Sequence, residues 1–198
     1  MEIGRVLSVG HSNHSAEAFV TLLRGALVEV VCDVRSHPDS AYCPHFSQRP
    51  LSYLVRSAGI HYLYLGRELG GRPPEAALYD REGHVRYDLV ADTARFDRGL
   101  MRLIRGCAAY RVALLCSEED PSQCHRRLLI GRALALRGEV EMHHLRGDGR
   151  VVIDTRAQLL QLGWHQPDLF GGDGQEEWRS AHPVAGRARS EVGPGGPD

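Results

Sequence analysis

Arg111 to Cys116 is the most apolar stretch of the chain, and it passes at once into Ser117-Glu118-Glu119-Asp120-Pro121-Ser122-Gln123-Cys124-His125-Arg126. An apolar run without polar alternation predicts a strand buried on both faces, as at the centre of a parallel sheet. Asp120, followed by proline and then by glutamine three residues on, marks a helix start. That helix is predicted to run to about Arg137, to stop at Gly138, and to be followed by a strand over Val140 to Leu145. A buried strand feeding a helix that returns to a second strand is the repeating unit of an α/β fold.

The segments before it read the same way. Val6 to Val9 is a short strand entering Gly10-His11-Ser12-Asn13, and Ala16 to Arg24 then carries apolar residues at helical spacing, with Ser15 or Asn13 as its cap. Leu27 to Val34 is a second strand, ending at Asp33-Val34-Arg35 and a polar loop through Pro50. A helix over Pro50 to Ser57 closed by Gly59, a strand over Ile60 to Leu65, and an amphipathic helix over Arg95 to Cys107 complete the pattern. The expected fold is therefore single-domain α/β, a Rossmann-like three-layer arrangement with a parallel or mixed sheet. The domain is placed at residues 1–150, with a C-terminal extension over 151–170. From Gly171 the composition turns to Gly, Pro, Glu, Arg and Ser, so 171–198 is expected to be a disordered tail.

Composition removes several mechanisms. None of the 198 residues is lysine, so all 24 basic side chains are arginine, which excludes a lysine Schiff base and a phosphate-loop lysine. The net charge of −1 gives no global pull toward nucleic acid, so binding of that kind must come from a local patch. Five cysteines in no disulfide layout, with neither a leader nor a long apolar run, predict reduced thiols, a cytoplasmic location and no membrane contact.

In such a sheet, ligands bind beyond the carboxyl ends of the strands, where three loops are expected to meet. Asp33, Glu118 and Cys116 are the candidate catalytic groups. His11, Ser12, Asn13, Arg35, Cys124, His125 and Arg126 are candidate substrate or anion contacts, and Asp33, Arg35, His11, Cys116, Glu118 and His125 are expected to line one crevice. Each has a plainer reading: Cys116 as the last residue of a buried strand, Asn13 as a helix cap, Asp33–Arg35 as an ion pair at a sheet edge, and Arg126 as the partner of a surface carboxylate. Paired zinc-ligand spacings such as Cys-x2-Cys are absent, so no metal and no cofactor are expected.

Read in order, these pieces closely resemble the domain of unknown function 488 family. The resemblance is carried by Val9-Gly10-His11-Ser12-Asn13, Asp33-Val34-Arg35-Ser36-His37-Pro38 with Ser40, and Phe46. It continues through Gly59-Ile60-His61-Tyr62, Leu69-Gly70-Gly71, Phe96, Leu115-Cys116-Ser117-Glu118 and Cys124-His125-Arg126, spanning roughly residues 7–145. It points to a family whose reaction is open.

Farther on, Gln166-Pro167-Asp168-Leu169-Phe170 is similar to the short peptide by which bacterial repair and replication proteins hold the sliding clamp. Gln166, Leu169 and Phe170 would be its contacts, with proline where leucine is usual. The leading expectation is a hydrolase or glycosylase acting on nucleotide or nucleic acid, linked to DNA repair and recruited by the clamp. In that reading Arg35 and Arg126 hold phosphate while Asp33 or Glu118 activates water. The alternatives are a thiol enzyme using Cys116 or Cys124, and a non-catalytic nucleotide-binding adaptor.

Overall fold

The computed structural model describes residues 2–162 and 178–184. Six strands form one sheet in the order β3-β2-β4-β1-β5-β6. They are β1 (Glu2–Gly10), β2 (Val30–Asp33), β3 (His61–Tyr64), β4 (Val112–Cys116), β5 (Glu139–Leu145) and β6 (Val151–Asp154). All neighbouring strands run parallel except β5 and β6, so the sheet is mixed. The central strand β4 is buried at every residue, as its unbroken apolar run requires.

Side chains alternate across the sheet and divide the core in two. Leu7, Val9, Val31, Ala113 and Leu115 pack with Phe19 and Leu23 of α1 (Ala16–Gly25) and with Leu51 and Val55 of α2 (Gln48–Ser57). Val6, Cys32, Val34, Val112 and Leu114 meet α3 (Gly66–Leu69), α4 (Tyr87–Ala91), α5 (Ala94–Ala109) and α6 (Arg132–Arg137) on the other face. The result is three layers, helix on sheet on helix, and the single α/β domain expected of a Rossmann-like fold. At the start of α1 the cap is Ser15, whose hydroxyl accepts from the Ala18 amide at 3.2 Å.

Three expectations are corrected. The helix predicted from Asp120 to Arg137 is broken: Pro121–Gln123 is a single 3-10 turn, Cys124 is extended, and a π-helical stretch, Arg126–Gly131, leads into α6. This interruption inserts Arg126 into the core. The boundary placed at residue 150 falls inside the domain, because β6 pairs with β5 and α7 (Arg156–Leu160) buries Leu159. Finally, the stretch read as a disordered tail contains a docked strap at 178–184. Trp178 is buried and its indole donates to the Leu128 carbonyl at 2.6 Å, under the Arg132 guanidinium. Ser180 exchanges hydrogen bonds with Val85, and Arg179 pairs with Asp80 and Glu82. One large apolar ring and these polar anchors offset the ordering of a few residues.

Candidate functional site

The sheet separates the predicted site residues into two clusters. Asp33 stands opposite Leu115 in the β2–β4 register, so it shares Leu115's face, whereas Cys116, one residue on, takes the other. The single crevice expected for both is thus not what the fold builds.

The first cluster is a polar knot, of which Arg35 alone also lines the cavity beside the second. Asp33 is fully buried and its carboxylate accepts from Arg35 Nε at 2.9 Å and Nη2 at 2.7 Å, and from the Tyr62 hydroxyl at 2.7 Å. Arg35 Nη1 donates to the Phe46 carbonyl and, at 3.2 Å, to His11 Nε2. Because that guanidinium can only donate, His11 carries its proton on Nδ1, which donates to the Ser12 carbonyl at 2.9 Å. The His11 ring stacks on Phe46, and burial, helped by the nearby Arg35 charge, lowers its pKa to about 4. Burial works against the charge of Arg35, but the Asp33 carboxylate outweighs it and raises the pKa. Ser12 and Asn13 lie beyond this knot at the surface side of the β1 loop, where Ser12 takes φ 43° and its amide donates to the Ser117 carbonyl. The loop closes onto residue 118 because Gly10 has no Cβ: any side chain there would run into the Glu118 carbonyl.

The second cluster surrounds Cys116 at the end of β4. His125 Nδ1 lies 3.8 Å from Cys116 Sγ and 3.7 Å from Cys124 Sγ. Its Nε2 is 3.0 Å from the Val34 carbonyl, which can only accept, so the ring proton is on Nε2 and the Nδ1 lone pair faces both sulfurs. The absent side chain of Gly71 makes room for this ring, since a Cβ would sit 2.6 Å from His125 Cγ. Arg126 is 1% exposed. It donates to Ser8 Oγ at 2.9 Å, to the Glu118 carbonyl at 2.5 Å and to Cys124 Sγ at 3.2 Å. None of these partners is a carboxylate, so the thiols are the ionisable groups placed to balance its charge. A hydrogen bond from Cys124, with His125 and Arg126 beside it, holds the Cys116 thiol well below the usual range. Burial and the shared proton push Cys124 up. By contrast, burial raises the pKa of Cys107 to about 12.

Above Cys116 opens a cavity of about 260 Å³. Arg35, Ser36, Arg72 and Tyr87 line it with Cys116, Glu118, Cys124 and His125, and the strap residues Ser180–Val184 form a further wall. Glu118 is exposed at this rim, Arg126 lies beneath the floor, and Asp33 and His11 do not reach the cavity lining. Gln166, Leu169 and Phe170 lie outside the described residues. Sequence reasoning missed Ser8, whose signal was a hydroxyl inside a buried apolar strand, and the strap, whose signal was an isolated tryptophan in a Gly-rich segment.

Cys116 Sγ, Cys124 Sγ and His125 Nδ1 lie within 4.8 Å of one another, a donor set suited to a soft cation. The buried Arg126 cation against Cys124 Sγ already occupies the charge a dication would use, so the set fits an internally balanced thiolate better.

No curated protein and no solved structure matches the chain. The sequence pattern of the family described as Domain of unknown function DUF488 matches residues 15–133, more than half of the chain and all of both clusters except Ser8 and the loop residues Gly10, His11, Ser12 and Asn13. The chain belongs to the DUF488 family.

Proposed function

We propose that this protein is a thiol enzyme in which Cys116 is the nucleophile. The observation that carries the reading is the buried Arg126, which lacks a carboxylate among its described partners and donates to Cys124 Sγ, beside the Cys116 thiol that opens onto a cavity. A thiolate there attacks an electrophilic centre of the substrate. His125 Nδ1, with its lone pair aimed at the sulfurs, takes up the thiol proton and returns it to the leaving group. Water then releases the covalent intermediate. The cavity sits just under the usual ligand-pocket range of about 300–1,000 Å³, so it suits one small moiety rather than a duplex.

A nucleotide or a nucleic-acid component is the proposed substrate class, with Arg72 at the cavity wall as the exposed cation for a phosphate. Recruitment to DNA by a sliding clamp through Gln166, Leu169 and Phe170 belongs to the same proposal and rests on the peptide's sequence. A second reading is favoured by Glu118, whose place on the rim would let its carboxylate activate water. Asp33 is less suited to that role, since both its oxygens are committed. Comparing Cys116→Ser with Glu118→Gln decides between them: a thiol enzyme loses turnover of a nucleotide substrate in the first, a carboxylate enzyme in the second.

A further inference from the structure

Nucleophilic attack needs one sulfur, yet the fold presents two. Cys124 is 3% exposed and extended, between the 3-10 turn at Pro121–Gln123 and the following helical stretch. A cysteine that merely fills space needs no polar partners, and Cys32, 0% exposed in the helix-packed core, is placed that way. Cys124 instead has a guanidinium donating to its sulfur at 3.2 Å, an imidazole nitrogen at 3.7 Å, and Cys116 Sγ within 4.8 Å. Bridging the two sulfurs requires a closure of at most about 3 Å, to the S–S bond length of about 2.05 Å. A thiol on a cavity floor with a second thiol at that range is the arrangement of a reacting and a resolving cysteine.

We propose that Cys116 and Cys124 form a dithiol couple that reduces a small peroxide admitted to the cavity. The proposal rests on Cys116 being the nucleophile assigned above. Its thiolate attacks one peroxide oxygen; an S–O bond forms, the O–O bond breaks, and the departing hydroxide or alkoxide leaves as water or alcohol with a proton from His125. Cys116 is thereby oxidised by two electrons to the sulfenic acid. Cys124 passes its proton to His125 Nδ1 and, with Arg126 steadying the resulting thiolate, attacks the Cys116 sulfur. The S–S bond forms, the S–O bond breaks, and hydroxide leaves as water with that proton. Two thiols and one hydrogen peroxide thus give one disulfide and two waters. A low-molecular-weight thiol restores the pair by exchange and is itself oxidised to its disulfide.

The test treats the reduced full-length protein with hydrogen peroxide in the presence of dimedone, which traps sulfenic acid, and reads intact mass and peptide maps. The wild type is expected to lose about 2 Da, reversibly with dithiothreitol, through a Cys116–Cys124 cross-link and with little dimedone label. Cys124→Ser, with Cys124→Ala as a second variant against misfolding, should carry dimedone on Cys116 at close to one per chain. Cys116→Ser should give neither product. A wild type that accumulates dimedone-labelled Cys116, or that cross-links through Cys43, overturns the couple. Inertness to peroxide in a protein whose Cys116 is still alkylated by iodoacetamide overturns the couple and leaves the nucleophile standing. Inertness to both reagents overturns both.

Discussion

Arg126 and Asp33 show how much of the site depends on single side chains whose surroundings the sequence does not display. A surface partner was the plain expectation for Arg126; it is instead a buried cation tied to a hydroxyl, a carbonyl and a sulfur. Arg126→Met should cost about 3 kcal/mol, since it removes the charge-assisted bonds of a buried group. It should also move the Cys116 thiol toward its ordinary pKa, and denaturant melts with thiol titration check both. Cys116 and His125 were legible because a thiol and an imidazole met at a strand-to-helix turn. The separation of Asp33 from Cys116 was not, because it depends on the β2–β4 register, and one residue of register exchanges the faces. His11 gives a pH prediction. Its folded pKa of about 4 lies below the ordinary 6.5, so the unfolded chain binds a proton that the folded one refuses. Stability should therefore be full above about pH 6.5 and fall as pH drops toward 4, by about 3 kcal/mol at most. His11→Asn should flatten that window in urea melts recorded across it.

Among the elements, strands β1 to β5 and the long helices followed from periodicity, whereas the broken helix after Asp120 did not. Its cap and proline are those of an ordinary start; what interrupts it is tertiary, the burial of Arg126 and the seating of the His125 ring against Gly71. Gly71→Ala should therefore cost about 1–3 kcal/mol by overpacking, and should slow alkylation of Cys116 by displacing that ring. Strand β6 also escaped notice, because three consecutive apolar residues, Val151, Val152 and Ile153, stay about half exposed at the sheet edge. Short edge strands carry little of the alternation that marks a half-buried one. Trp178 is the strap's one large apolar anchor, so Trp178→Ala should cost about 3 kcal/mol or less, and should make the peptide around Ser180 more sensitive to protease while the sheet persists.

At the scale of the whole molecule, the family-matched core and the segments C-terminal to it contribute different things. The DUF488 match ends at residue 133, yet Ser180–Val184 walls the cavity, so this chain shapes its site with residues beyond the matched region. The proposed clamp peptide lies between the domain and that strap in sequence. If it recruits a sliding clamp, Leu169→Ala with Phe170→Ala should abolish micromolar binding, about −8 kcal/mol, without lowering the melting temperature. An unchanged affinity in calorimetry would remove the peptide from the account. The central claim is that Cys116 is an activated thiol at the floor of the cavity, and the most direct measurement is the rate of its alkylation by iodoacetamide as a function of pH, followed by peptide mapping. The account predicts that Cys116 reacts ahead of the other four cysteines, with a rate that titrates well below the ordinary thiol range and shifts upward in Arg126→Met. A Cys116 that stays unmodified, or that reacts only as pH approaches 9, would contradict it.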